Sequence, residues 1–242
     1  MKCLIIAAGQ GSRLRSLAEA KPLMPLKNIP LIDRVIDSAM AAGVDDFYVV
    51  VGYNGARVRT HLEQVSRTKN VAITIIENDE WQRANGISVL KAQPYLNEPF
   101  LLLMADHIFD SEIASQLMCR SSENKGIILA VDEDLKNSLV DMEDVTRVFV
   151  EEDRIQKIGK GIESYNCFDT GIFLCDPALF TAIETSLKNQ QDDSLSGGVR
   201  ILAAEGKAGA MLIDGLFWCD IDDPDNFKQA ENHLSSLTEK CA

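Results

Sequence analysis

Paired cysteines are missing from this sequence. Its six cysteines, Cys3, Cys119, Cys167, Cys175, Cys219 and Cys241, form no CxxC pair and show no other tight spacing. That pattern argues against a zinc site or a disulfide framework, and the thiols read as small buried hydrophobes of a reducing compartment, the cytoplasm. Long hydrophobic runs are missing too. No stretch approaches the roughly 18 apolar residues of a membrane-spanning helix. The opening MKCLIIAAGQ, with one lysine and a short apolar run before Gly9, does not read as a signal peptide. Positive charge is scarce: 24 Lys and Arg stand against 37 Asp and Glu, a formal net charge of −13. Nucleic acids and anionic membranes need clustered cations, so neither is expected as a general partner. One phosphorylated small molecule in a locally basic pocket remains open. Aromatic residues are only 6%, which leaves little for a cage around a quaternary amine.

What is present is ordinary for a globular chain: 242 residues, 46% hydrophobic and 25% charged. Strand and helix signals alternate through the first half. KCLIIAA, DFYVVVGY, VAITIIEN and PFLLLMAD read as strands. IDRVIDSAMAAG, ARVRTHLEQV and ISVLKAQPYL read as helices, the first with Ile32, Val35, Ile36 and Ala39 on one face. Beyond about residue 140 come two strands in VTRVFVEEDRIQKIG, turning at Glu152 and Asp153, and a strand in NCFDTGIFLCD. Helices in PALFTAIETSLK and SGGVRILAAEG follow, then strands in AMLID and FWCDI. The last helix starts in DDPDNFKQAENHL, with Asp222 or Asp223 as N-cap and Pro224 in the first turn. NQQDDSLSGG reads as a mobile loop.

The expected fold class is α/β, a Rossmann-like open sheet, mixed but mostly parallel, with helices on both faces. We expect a single domain, with residues 1–140 a nucleotide-binding half and 141–242 an acceptor-binding half that completes a metal site.

Two further absences concern the stretch LIIAAGQGSRL. A dinucleotide fingerprint would place a third glycine near position 14, which is leucine, and a P-loop would need a lysine that is not there. An apolar strand nevertheless runs into a turn with Gly9 and Gly11, which permits close backbone approach to an anion. Ser12 and Arg13 follow, a hydroxyl and a permanently charged fork suited to phosphate oxygens. Alone, such a loop is equally a plain tight turn. Asp106 ends the strand PFLLLMA and Asp220 ends GLFWC, both at positions where ligands collect in open α/β sheets. Either acid taken alone is equally a turn former.

AAGQGSRL followed by AKPLMPLKNIPLID resembles the signature of the sugar-phosphate nucleotidyltransferases, the MobA-like NTP-transferase type. NDEWQRANGISVL, LLMADHIFD, IGKGI, FDTGIFLC and GLFWCDIDDPDNFKQAE agree in order, so the resemblance covers essentially the whole chain. Within that group the sequence is most similar to CTP:inositol-1-phosphate cytidylyltransferases, through the Asn-Gly-x-Ser segment, ADH at Ala105–His107, DMEDVTRV and SLSGGVRILAAEG.

The resemblance implies attack of a phosphate oxygen on the α-phosphorus of a nucleoside triphosphate, with pyrophosphate leaving. The nucleophile is already an anion, so the obstacle is bringing two polyanions together, and catalysis rests on positioning and charge neutralisation. The backbone from Ala7 and Ala8 through Gly9, Gly11 and Ser12 is expected to cradle the triphosphate. Arg13 suits the leaving phosphates and Lys21 the α-phosphate, although Lys21 read alone is equally a solvated lysine. Asp106 and Asp220 match the family's metal aspartates, and Mg²⁺ suits carboxylates plus phosphates.

Asn85, Gly86 and Ser88 are expected near the base, with Asn85 alternatively a helix cap. Ile87, where the fuller pattern has threonine, puts a side-chain contact there in doubt. Lys160 matches a lysine that binds the acceptor phosphate in relatives, whereas strand alternation turns Lys157 to the other face. Asp169 and Thr170 suit hydroxyls of a polyol, and Gly171 leaves room for its ring. His107 reads as structural and the two tryptophans as packing, with Trp218, next to Asp220, alternatively a wall of the pocket.

The expected substrates are CTP or another nucleoside triphosphate and a phosphorylated alcohol or sugar, with inositol 1-phosphate the leading acceptor. Phosphocholine, 2-aminoethylphosphonate or a hexose 1-phosphate with UTP, dTTP or GTP are the alternatives within the same chemistry. A nucleotide-sensing homologue without turnover and a dehydrogenase are the alternatives outside it. In relatives the activity is often fused to a membrane-embedded phosphotransferase. A separate downstream CDP-alcohol phosphotransferase is therefore expected here, and a homodimer is compatible with the chain.

Overall fold

Alternate residues of the first strand, β1 (Lys2–Ala7), enter two different cores, because successive side chains of a strand leave on opposite faces. Cys3, Ile5 and Ala7 join one cluster, and Leu4 joins the other. Both faces are covered, which explains why this strand reads as a continuous apolar run. The computed structural model describes residues 1–11, 13, 19–120 and 126–240, with side chains as far as residue 235.

After β1, a 3₁₀ turn at Lys21–Leu23 leads into a small hairpin, β2 (Pro25–Leu26) and β3 (Ile29–Pro30). Then α1 (Leu31–Ala41), β4 (Asp46–Val51), α2 (Gly55–Lys69) and β5 (Ala72–Glu77) alternate as the periodicity indicates. The helix expected in ISVLKAQPYL is shorter at its end and starts earlier: α3 spans Asn85–Lys91, and a 3₁₀ turn at Gln93–Tyr95 carries Pro94. Next come β6 (Phe100–Met104), β7 (His107–Phe109), α4 (Ser111–Cys119) and β8 (Ile127–Asp132). The second half supplies β9 (Arg147–Glu151), β10 (Arg154–Gly159), β11 (Cys167–Cys175), α5 (Ala178–Gln190) and α6 (Leu195–Ala204). It closes with β12 (Ala208–Leu212), β13 (Trp218–Asp220) and α7 (Pro224–Lys240). The elements α4, β7 and β8 were not anticipated.

Nine strands form one sheet in the order β5-β4-β1-β6-β11-β8-β12-β10-β9. β5, β4, β1 and β6 run parallel, as do β8 and β12, while β11 and β10 run against their neighbours. The fold is thus the expected mixed α/β sheet, mostly parallel in strand direction. One core packs α1, α2 and α4 on one face, and the second packs α3, α5 and α6 on the other. A third, smaller core holds Met24, Leu26 and Ile108 against Cys219, Ile221 and Ala230 of α7. The turn between β9 and β10 has Glu152 and Asp153 at φ 48° and 58°, the left-handed pair of a two-residue hairpin.

At the start of α7 the sequence left two candidate caps. Oδ1 of Asp223 accepts from the amides of Asp225 at 2.7 Å and Asn226 at 2.9 Å, so Asp223 is the cap and Asp222 is released for another role. The segment read as mobile is tied down. Ser194 Oγ caps α6 by accepting from Gly197 N at 3.0 Å, and Asp192 pairs with Arg200. Among the described residues no helix is long and apolar enough to cross a membrane.

Candidate active site

A two-stranded ribbon brings the strand-end acids together. β13 pairs antiparallel with β7, which sets Asp220 opposite His107, and Ile221 N donates to the Asp106 carbonyl at 3.0 Å. Asp106, which lies in the turn after β6, therefore meets Asp220 although more than a hundred residues separate them. Ligand atoms of Asp106, His107 and Asp220 all lie within 4.8 Å of one another, the one such group among the described residues. Oδ1 of Asp220 is buried with no hydrogen-bond partner, the Lys21 ammonium being 3.9 Å away. A buried carboxylate oxygen left unpaired is costly, and a cation between the acids would satisfy it.

His107 is fixed from behind. Its Nδ1 donates to the Thr170 carbonyl at 2.6 Å, and its Nε2 lies 3.4 Å from Asp220 and 3.8 Å from Asp106. Burial alone would lower its pKa, but Asp220, Asp106 and the Thr170 carbonyl overcome this and raise it to about 10. The acids respond in opposite directions. Burial would raise Asp106, yet Lys21 and His107 hold it below the usual carboxylate range, whereas burial dominates at Asp220 and pushes it up.

Beside the acids, the end of β1 opens into two adjoining lobes of about 390 Å³ and 240 Å³. Gly9, Asp106 and Asp222 border both. The smaller lobe holds Ala7, Gly11, Arg13 and Lys21. Gly11 has φ +57°, and a Cβ there would stand 2.5 Å from the Lys21 Cβ, so only glycine admits the lysine stem. Lys21 is 7% exposed, donates to Asp106 at 2.6 Å and pairs with Asp222. Burial would lower its pKa, and the carboxylates of Asp106, Asp220 and Asp222 instead hold it well above the usual lysine range. Arg13 lies 3.4 Å from Asp141 and 3.3 Å from Asp222 and pairs with Asp144. Ser12 lies outside the described residues.

Asn85, Ser88, Lys160 and Asp169 line the larger lobe. Lys160 follows the end of β10 and pairs with Asp144, while Lys157 lies against the Phe149 ring at 5.9 Å. Burial raises the Asp169 pKa to about 6, with the Gly171 amide and His107 drawing it partly back.

Several expected contacts turn elsewhere. Thr170 is fully buried and its hydroxyl donates to the Ala130 carbonyl at 2.8 Å, so this side chain serves the sheet and the residue's contribution is the carbonyl that orients His107. The space beside Gly171 goes to His107, whose Nδ1 would be 2.3 Å from a Cβ there. A Cβ on Gly86 would stand 2.4 Å from the Asp193 carbonyl oxygen, which makes Gly86 a close-packing position. Oδ1 of Asn85 accepts from Leu195 N at 2.9 Å, at the start of α6 rather than of its own helix. Ser88 Oγ accepts from Asn78 Nδ2 at 2.9 Å. Ala8 is buried, and its carbonyl accepts from Tyr53 N at 3.0 Å. Trp218 does border the larger lobe, and its Nε1 donates to Asp132 at 2.8 Å.

Asp222, Asp141 and Asp144 went unrecognised in the sequence. Asp220 and Asp222 stand two apart on an extended segment, which puts them on one face, and that spacing was the available signal.

The MobA-like NTP transferase domain family matches residues 3–196. The bifunctional IPC transferase and DIPP synthase of Aquifex aeolicus is 30% identical over 96% of this chain, and that of Rubrobacter xylanophilus 31% over 94%. The matches cover 51% and 50% of those proteins, so the chain spans about half the length of the curated relatives it matches. Among solved structures, the inositol-1-phosphate CTP transferase from T. maritima superposes with a TM-score of 0.83 at 28% identity, covering 98% of this chain and 96% of that one. A UDP-glucose pyrophosphorylase shares the fold at 18% identity, with a TM-score of 0.79.

Proposed function

Because the chain belongs to the MobA-like NTP transferase domain family, we propose that it transfers CMP from CTP to the phosphate of inositol 1-phosphate, releasing pyrophosphate. The observation that carries this reading is the cross-strand pairing that gathers Asp220 with Asp106, next to the lobe bordered by Gly9, Gly11 and Lys21. A relative whose name gives the same acceptor and nucleotide aligns along nearly all of the chain.

In this reading Asp106 and Asp220 hold a divalent cation, Mg²⁺, to which the unpaired Oδ1 of Asp220 is suited. That ion would supply positive charge beside the phosphates. The chain's own residues do the rest. The backbone at Ala7, Gly9 and Gly11 lies along the triphosphate, and Ser12 is assigned there on sequence grounds. Arg13 takes the departing phosphates through its planar fork, and Lys21 neutralises charge that grows at the α-phosphate. Lys160 takes the acceptor phosphate, and Asp169 accepts from a ring hydroxyl.

Asn85 and Ser88, which line the larger lobe while their side-chain oxygens accept from Leu195 N and Asn78, are assigned to the base. No proton need be removed from an ionised phosphate, so none of these groups is asked to act as a base. Residues 1–140 then form the nucleotide half and 141–242 the acceptor half of one domain, working in the cytoplasm. The CDP-linked product would pass to a phosphotransferase that exchanges CMP for an alcohol. A matrix of nucleoside triphosphates against phosphorylated acceptors, read by pyrophosphate release with and without Mg²⁺, tests the proposal. Turnover confined to CTP and inositol 1-phosphate is expected. Preference for a hexose 1-phosphate or phosphocholine would overturn the acceptor, and absence of turnover in every cell would overturn the activity.

A further inference from the structure

An unbroken run of alternating charges borders the two lobes of the cavity. It starts at Asp106, passes through Lys21, Asp222, Arg13 and Asp144, and ends at Lys160. Asp144 is the joint between the two lobes. Its Oδ2 engages Arg13, which borders the smaller lobe, and its Oδ1 engages Lys160, which borders the larger. One carboxylate thus spans two cations that, in the function proposed above and on which this inference rests, serve phosphates of different substrates.

The surroundings favour exchange. Side-chain exposure is 46% for Arg13 and 60% for Lys160, and exposed pairs of this kind are weak. A phosphate brings more charge and more acceptor oxygens than a carboxylate, so it wins either cation. A phosphate seated on Arg13 also repels the carboxylate beside it. The two oxygens of Asp144 cannot separate, so rotation of this one side chain frees Lys160 at the same time.

We infer that Asp144 is a shared placeholder that couples the two phosphate sites, each phosphate easing the binding of the other. Coupling of this sort is reciprocal by thermodynamic necessity, so it is measurable from either side. Asp141 provides the contrast, since of these two cations it pairs with Arg13, at 3.4 Å, and its other oxygen accepts from the Glu143 amide.

The test uses tripolyphosphate for the nucleotide side and glycerol 1-phosphate for the acceptor side, neither of which carries a base or an inositol ring. Calorimetric titration of the full chain with tripolyphosphate and Mg²⁺, with and without glycerol 1-phosphate, gives the coupling factor. The natural chain is expected to bind tripolyphosphate about 5-fold or more tightly when the monoester is present. In Asp144→Asn both probes should bind more tightly alone, and the factor should fall to about one. Asp141→Asn should tighten tripolyphosphate binding and keep the factor. An unchanged factor in Asp144→Asn, no coupling in the natural chain, or no binding of the probes overturns the inference. Pyrophosphate release from CTP and inositol 1-phosphate, measured in parallel, judges the proposed function separately. Its failure alongside intact coupling removes those substrates and leaves the placeholder standing.

Discussion

Lys21 and Lys160 make the same kind of contact, an ammonium on an aspartate, in opposite surroundings. Lys21 is 7% exposed and gripped by Asp106 and Asp222 behind a glycine that admits its stem. Lys160 is 60% exposed and, among the described residues, pairs with the carboxylate of Asp144. The end of the cavity beside the acids is therefore held by packing and strand ends, and the far end by surface ion pairs. A site set in place before substrate arrives stabilises developing charge without reorganising, which suits the end where a phosphorus–oxygen bond breaks. The far end only has to recognise an acceptor, and a rearrangement of exposed side chains serves that purpose.

Three substitutions probe how deep this contrast runs. The largest effect is expected at the rigid end. Asp106→Asn should lower metal-dependent pyrophosphate release by about 10²–10³-fold while calorimetry still detects nucleotide; turnover close to that of the natural chain would remove Asp106 from the metal site. Lys21→Met comes next, because it strands Asp106 and Asp222 without their buried counter-charge. Metal-free denaturant unfolding should show a loss of about 3 kcal/mol, partly restored by Mg²⁺. A neutral result would mean that Lys21 is as dispensable to the fold as any surface lysine. Lys160→Met should leave stability within about 0.5 kcal/mol and raise the acceptor KM about 10-fold, with the CTP KM little changed. A rise in the CTP KM instead would show that the two phosphate ends have been exchanged.

The same contrast explains what was legible in the sequence. The strand ends carrying Asp106 and Asp220 could be read, because an apolar run followed by an acid is a local pattern. So could the turn at Glu152 and Asp153 and the start of the last helix at Pro224, with its cap narrowed to two aspartates. The ribbon of β7 and β13 could not. His107–Phe109 is three residues long and too short to show a period of its own, so only its partner across the fold defines it as a strand. β8 is a short apolar run whose period does not separate strand from buried helix.

In the sequence Thr170 suits polyol hydroxyls and Gly171 leaves room for a ring. Strand alternation and the irregular register between Asp169 and Phe173 instead turn one inward and give the other's space to His107. The ion pairs of Arg13 and Lys160 join residues more than a hundred positions apart or lie in an acidic surface stretch, and one sequence among many carboxylates offers no rule for choosing partners.

Asp169 decides whether the acceptor end is soft throughout. It lines the larger lobe, yet its Oδ1 accepts from Gly171 N at 2.8 Å and burial lifts its pKa from the ordinary 3.8 to about 6. The native state therefore binds this proton more tightly than the unfolded chain does. Stability from this residue is lost as pH rises from about 4 to 6, and the deficit is constant above that range. Asparagine keeps the acceptor oxygen and has no charge to bury. Asp169→Asn should thus be more stable than the natural chain by about 1–2 kcal/mol at pH 8, a gain that shrinks through pH 6 and vanishes near pH 4. Denaturant melts across that range measure it. A carboxylate kept at a cost to stability marks a position selected for binding rather than for the fold, so the same variant should raise the acceptor KM. Equal stability at pH 8 would place Asp169 with the adjustable surface groups, and the rigid region would then end at His107.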